Sequence, residues 1–226
     1  MPLLGRAAML LSFDIAREAI VEHDDWHTHE HLPERLSIPG FNRGSRWTAL
    51  HGGPRYLVLY EVENVETLGS DPYLERLNNP SPWTSKMMPH YRGMTRGLCA
   101  VTGSFGLGIG GACMLMRFKP AAGADQSLRR WLCDETLPAL TASPGLGSAH
   151  LLEGAASAAM TNEQRIRGAD AGLDWALVVS GYSRDALARL IEGGALETQL
   201  VRHGAVEAAS ATYTLDYSLS ADEIGG

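Results

Sequence analysis

Two five-residue runs are apolar at every position, Tyr56-Leu57-Val58-Leu59-Tyr60 and Trp175-Ala176-Leu177-Val178-Val179. A strand with one wet face alternates, so a strand without alternation is covered on both faces. The pattern around the first run predicts a strand over residues 8–13, a helix from about 17 to 31 and a strand over 44–50. It continues with the strand 55–62, a helix opening at Ser70-Asp71-Pro72 and a strand over 98–105. Proline is harmless early in a helix, where its missing N–H has no partner to lose. Pro33, deeper in, predicts that the first helix ends or kinks there. Pro39-Gly40 marks a turn, and the Gly-rich residues 103–111 read as a link.

The pattern occurs twice. Trp26, Glu30, Leu32, Pro33, Pro39 and Gly40 recur 105 residues later as Trp131, Glu135, Leu137, Pro138, Pro144 and Gly145. Met9-Leu10-Leu11-Ser12-Phe13 recurs as Met114-Leu115-Met116-Arg117-Phe118 at the same separation. The two apolar runs, and Leu68 with Leu187, stand 119 apart, so the second copy carries 14 extra residues. Residues 153–172, rich in Ala, Gly and polar side chains, are their natural place and read as a long loop. Two β-α-β-β-α-β repeats, 1–108 and 109–226, with sheets packed face to face, would cover both apolar strands twice. The expected class is α+β.

Composition narrows the partners. Nineteen Lys and Arg against 26 Asp and Glu give a net charge of −7, and no basic run stands out, which argues against nucleic acid. Three cysteines, Cys99, Cys113 and Cys133, have no metal or redox spacing and read as buried free thiols in a reducing compartment. The short apolar stretch near the N-terminus lacks a cleavage signature, and no stretch reaches the length of a membrane span. A cytoplasmic protein is expected.

The copies differ in chemistry. His23, His27 and His31 are spaced by four, one stripe of a regular helix, with Glu30 and Glu34 beside it. In the second copy that helix shows an apolar face through Leu128, Trp131 and Leu132, and Thr136 stands where His31 would be. The plainer reading leaves His23, His27 and His29 on a solvated face. His31 adjoins the expected helix end, where the dipole favours its protonated form, and Glu30 could hold one ring nitrogen and free the other for proton transfer. A zinc pair of His27 and His31 is the rival reading, but Thr28 stands where H-E-x-x-H requires Glu, so no metal is expected. Arg43, Arg46 and Tyr60 are candidates for stabilising an anion. Trp26, His27, Trp47, Trp83, His90 and Tyr91 are candidates for lining an apolar pocket. The glycines around 106–111 precede a strand, not the helix a dinucleotide site needs.

Asp25-Trp26, Glu30-His31-Leu32-Pro33-Glu34-Arg35-Leu36, Ile38-Pro39-Gly40-Phe41 and Arg43-Gly44 resemble the EthD-like group of the dimeric α+β barrel superfamily. So do Tyr56 to Glu61 and Asn79-Pro80 with Trp83. The resemblance covers most of residues 8–105 and, more faintly, the second copy. It implies ferredoxin-like units whose antiparallel sheets form an α+β barrel with an internal cavity, the tandem copy replacing a partner subunit. The superfamily includes cofactor-free monooxygenases, isomerases, cyclases, lyases and haem enzymes, so fold alone does not name the reaction. His31 matches the helix histidine common among these relatives. His150 and His203 fit the axial position of the haem enzymes poorly, and no cofactor is expected. The resulting expectation is a cofactor-independent lyase or isomerase acting on a small aromatic or apolar intermediate inside the barrel. The alternatives are a cofactor-free monooxygenase and a non-catalytic binding protein. A homodimer is expected because two-fold assemblies are common.

Overall fold

The computed structural model describes residues 3–155 and 160–224. β1 (Ala7–Ile15) leads into a helix of three parts, α1 (Ile20–Trp26), a π-helical turn (His27–His31) and α2 (Leu32–Leu36). β2 (Phe41–His51), β3 (Tyr56–Val62), α3 (Asp71–Asn78), α4 (Pro82–Met87) and β4 (Tyr91–Gly106) follow. The order then repeats: β5 (Ala112–Pro120), α5 (Asp125–Trp131), a π-helical turn (Leu132–Thr136), α6 (Leu137–Ala142) and β6 (Leu146–Gly154). After α7 (Asn162–Arg167) and the short β7 (Ala171–Gly172) come β8 (Trp175–Gly181), α8 (Arg184–Ile191), α9 (Ala195–Arg202) and β9 (Ala205–Ser220).

Eight strands close into one antiparallel barrel in the order β1-β3-β2-β9-β5-β8-β6-β4, with β4 returning to β1. Closure depends on the two longest strands, each of 16 residues. β4 pairs with β1 through residues 91–100 and with β6 through 99–106. β9 likewise pairs with β5 through 205–214 and with β2 through 212–220. Each therefore starts in its own repeat and finishes in the other. The predicted strand 98–105 captured only the end of β4, because its first half carries glycine and charged residues that mask the period. That extension also shortens the expected Gly-rich link to residues 107–111.

Both apolar strands are buried along their whole length. Alternate side chains face the barrel interior and the helix layer. Ala8, Leu10, Trp47, Leu57, Leu59, Cys99, Cys113, Leu115, Leu152, Val178 and Tyr213 pack together inside the barrel. A cavity of about 20 Å³ lined in part by Arg43, Glu61 and His150 lies among them, room for little more than one water. The expected substrate-sized interior cavity is therefore filled by side chains. Under the first-repeat helices a separate core joins Met9, Phe13, Trp26, Leu32, Tyr56 and Tyr60.

Pro33 does not end its helix. Leu32 donates its N–H to the His27 carbonyl, five residues back, and the chain continues helical through Leu36. The wider turn makes room for a proline ring and shifts the ladder where the ring has no N–H to give. Pro138 follows the same arrangement, with Leu137 bonded to Leu132. Since the second repeat has the π-turn without the histidines, the turn belongs to the scaffold. The turns that follow both need a left-handed residue, and Gly40 and Gly145 supply it at φ 87° and 91°.

The 14-residue insertion is more than a loop. Its described part holds α7, capped by Thr161 and Gln164, and β7, which adds in parallel to β4 at Thr95 and Arg96; residues 156–159 of the predicted loop lie outside the described residues. Among the thiols, Cys99 and Cys113 are buried but Cys133 is only half-buried. No helix of the described residues is long and apolar enough to cross a membrane.

Candidate functional site

The polar residues of the first helix turn inward, against the outer face of the sheet. His23, His27, His31 and Arg35 are 0%, 1%, 7% and 1% exposed, so the solvated-face reading fails for His23 and His27 and holds for His29, whose Nδ1 meets the Asp25 carbonyl at 2.9 Å in solvent. The rings pack in sequence: His23 to His27 and His27 to His31 are each 5.5 Å between centroids, and Trp26 lies 4.4 Å from His31. His23 is tied at both nitrogens, to Asp24 at 3.2 Å and to the Tyr91 hydroxyl at 3.4 Å. Among the described residues the buried Nδ1 atoms of His27 and His31 have no hydrogen-bond partner, nor do the Tyr60 hydroxyl and the Arg46 Nε. Orphaned buried polar atoms destabilise by about 1–3 kcal/mol each, so four in one layer call for an explanation.

His27, His31, Arg35, Tyr91, Glu163 and Arg167 share a cavity of about 30 Å³ with Met9, Phe13, Met88 and Met94. This is space for one or two waters. Burial holds both imidazoles neutral, their pKa values driven well below the usual 6.5. The Arg35 charge adds to the effect on His31, and the His23 and Arg46 charges add to it on His27. The expected helix-end environment, which would favour imidazolium, is thus reversed: the π-turn and Pro33 leave His31 in mid-helix under the sheet. Burial also raises the Tyr60 and Tyr91 hydroxyls, which stay protonated. Tyr56 rises to about 12 through burial and donates to Asp24 at 2.7 Å.

Glu30 is placed elsewhere than expected. Its carboxylate accepts from Trp26 Nε1 at 3.2 Å, from the Ser81 hydroxyl and from Thr84 at 3.5 Å. It ties the helix to the start of α4, and none of these bonds reaches His31. Arg43 and Trp47 leave the histidine layer altogether, because beyond the bulge between Phe41 and Arg43 they point into the barrel interior. There Arg43 donates to Glu61 at 2.7 and 2.9 Å, and Trp47 joins the barrel core. Arg46 faces the helix but is held at its near end, donating to the Asp24 carbonyl at 3.1 Å. Trp83 packs on the rim of the core and donates to Glu22 at 3.2 Å. His90 is half-exposed, with its carbonyl taken by the Ala16 N–H. Tyr91 and Met88, from the same stretch, do line the cavity.

Three residues that the sequence reading passed over complete the wall: Arg35, Glu163 and Arg167. Arg35 ion-pairs with Glu163 across 128 residues. Arg167 holds Asp170 at 2.6 and 3.0 Å and stands 3.8 Å from Glu163. Asn162 anchors α7 to Asn78 at the end of α3 at 2.7 and 3.2 Å. The second repeat's insertion therefore roofs the first repeat's cavity. The one available signal was Arg35 itself, whose counterpart 105 residues on is Leu140. The described residues contain no group of three or more His, Cys, Asp or Glu arranged as metal ligands. His150 faces Ser104 inside the barrel, and His203 stacks on Trp131 at 4.0 Å.

No protein-family model and no curated protein matches the chain. Solved structures do. An anthrone oxidase-like protein is 12% identical, with a TM-score of 0.68 over 98% of this chain and 96% of that one. A proposed monooxygenase from Fusobacterium nucleatum is 6% identical, with 0.62 over 96% of each chain. One from Lactobacillus acidophilus is 10% identical, with 0.58 over 95% and 96%. At such identities the likeness establishes the fold alone. The narrower resemblance to the EthD-like group rests on the sequence motifs.

Proposed function

We propose that this protein is an enzyme in which buried His31 removes a proton from a small aromatic or otherwise largely apolar substrate held between the first-repeat helix and the sheet. The observation that carries the reading is the pair of neutral imidazoles, His27 and His31, whose Nδ1 atoms lack partners in a layer where the second repeat has Leu132 and Thr136. Neutral imidazole is the form a general base requires. A base weakened by burial suits an acidic proton, such as a C–H between a carbonyl and an aromatic ring. Stabilisation of the resulting anion falls to Arg35, which lines the cavity, and to Tyr60, a buried hydroxyl without an acceptor among the described residues, rather than to Arg43 or Arg46. Phe13, His27, Tyr73 and Tyr91 supply the aromatic walls, Trp26 backs the His31 ring at 4.4 Å, and the methionines are walls that can yield.

An anion formed this way leads to elimination, C–C cleavage or isomerisation, and we take a lyase or isomerase that needs no cofactor as the leading reading. Reaction of the same anion with dioxygen is the second reading, favoured by the likeness to an anthrone oxidase-like protein and two proposed monooxygenases. Anaerobic exchange of the acidic proton for deuterium, followed across a panel of aromatic ketones, tests the shared first step. Exchange lost in His31→Thr supports it, and exchange unaffected by that substitution ends it. Oxygen uptake then separates the two fates. Tight binding with neither exchange nor uptake would mean a binding protein. A homodimer stays part of the proposal, for sedimentation to test.

A further inference from the structure

We infer that the substrate of this site carries a carboxylate, and that Glu163 occupies the place of that group until the substrate displaces it. The inference deepens the proposed function and rests on it for the position of the reacting proton. Three guanidinium groups line the cavity, those of Arg35, Arg96 and Arg167, against the single carboxylate of Glu163. Arg35 is 1% exposed. Its Nη2 is bonded to Glu163 and its Nη1 lies 3.4 Å from Glu34. Among the described residues the Nη1 of Arg167 meets just the Met88 thioether at 3.9 Å and Glu163 at 3.8 Å, which leaves one edge of a nearly buried fork poorly used. A planar fork of N–H donors matches a carboxylate in two parallel bonds.

The scaffold does not ask for this pair. The second repeat fills the Arg35 position with Leu140, packed in its core, and a buried ion pair is seldom more stable than apolar residues of similar volume. Glu163 lies in the insertion that only the second repeat carries. Both members of the pair are therefore additions to the common fold, and they meet at the wall of the cavity that holds the orphaned imidazoles. The cavity, at about 30 Å³, admits an aromatic acid only if part of its wall withdraws. Exchange of one carboxylate for another at Arg35 keeps the cation paired while Glu163 moves out. Arg35 follows His31 by four positions, so the substrate's acidic proton should lie roughly 5–6 Å, about one helical turn, from its carboxylate.

The test uses the full chain and two probes of one shape, 2-naphthoate and 2-naphthamide, titrated calorimetrically at pH 7. The acid should bind at least about tenfold more tightly than the amide. Glu163→Gln, with circular dichroism unchanged, should tighten the acid further by about tenfold and leave the amide nearly unaffected. Arg35→Leu should abolish the difference between the probes. Equal affinities, no binding of either probe, or an acid bound no better by Glu163→Gln would overturn the inference. The Glu163→Gln arm decides the matter even if Arg35→Leu fails to fold. Selectivity for the acid together with proton exchange intact in His31→Thr would leave this inference standing and end the base assignment; the opposite pair of results would do the reverse.

Discussion

The helix layers of the two repeats are the same construction with different contents. β1 and β5, α1 and α5, and the two π-turns correspond residue for residue at a separation of 105. Within that frame His23, His27, His31 and Arg35 face Leu128, Leu132, Thr136 and Leu140, while Tyr60 faces Val179 at a separation of 119. Leu128, Leu132, Leu140 and Val179 are all buried, so the second repeat shows how this layer packs when stability is the sole demand. These five polar residues of the first repeat are thus departures from a solution the fold already has. Such departures persist where they do chemistry.

The most demanding challenge to this contrast is to make the first repeat more like the second. His31→Thr should lower turnover by about 10²–10⁴-fold, the usual contribution of a general base, with the melting temperature nearly unchanged. An unaltered kcat would remove His31 from the chemistry. Next in size, Arg35→Leu removes the hydrogen-bonded partner of the buried Glu163 carboxylate, leaving it the looser Arg167 contact at 3.8 Å, and should destabilise by about 3–5 kcal/mol in urea unfolding. Adding Glu163→Leu should recover most of that loss. If the single and double variants are equally unstable, the ion pair is not what holds α7 to the cavity.

The pH dependence is a third way to sharpen the contrast. His23, His27, His31 and His150 all have folded pKa values below 6.5, chiefly through burial, and that of His150 is about 4. Their contribution to stability is complete above about pH 6.5 and is lost as pH falls, because the unfolded chain takes up protons first. Each should remove about 1.4 kcal/mol per pH unit until its folded pKa is reached, which for His150 is at about pH 4. His27→Leu should flatten the acid limb by one such increment; a limb of unchanged slope would place His27 in water. At pH 7 the same substitution should stabilise the protein by about 1–2 kcal/mol, since it replaces an orphaned Nδ1 with the residue the second repeat uses. A loss of stability would mean that His27 has a partner after all.

The sequence already contained the tandem organisation, the doubly covered strands, the inserted segment and the contrast between a histidine-bearing helix and a bare one. Periodicity and spacing are local properties, and two copies of one pattern check each other. They do not say which face of a strand points where. Sequence spacing groups Arg43 and Trp47 with His31, yet the alternation along β2 sends them into the barrel. The stripe of histidines was legible, but its burial was not, because an apolar sheet accepts a polar helix only if other groups seal its edges. Glu30 was read beside His31 from proximity in sequence; Ser81 and Thr84, some fifty residues away, compete for it and win.

What the chain determines by itself, then, is the scaffold, since strand and helix periods are fixed by backbone geometry. Tertiary structure alone decided the site. The barrel core fills with side chains and leaves no room for a substrate, α7 of the second repeat roofs the first repeat's cavity, and Arg35 finds its partner 128 residues away. The physical reason is that a buried charge or imidazole takes its character from whatever packs around it, and those neighbours are brought together only when the barrel closes.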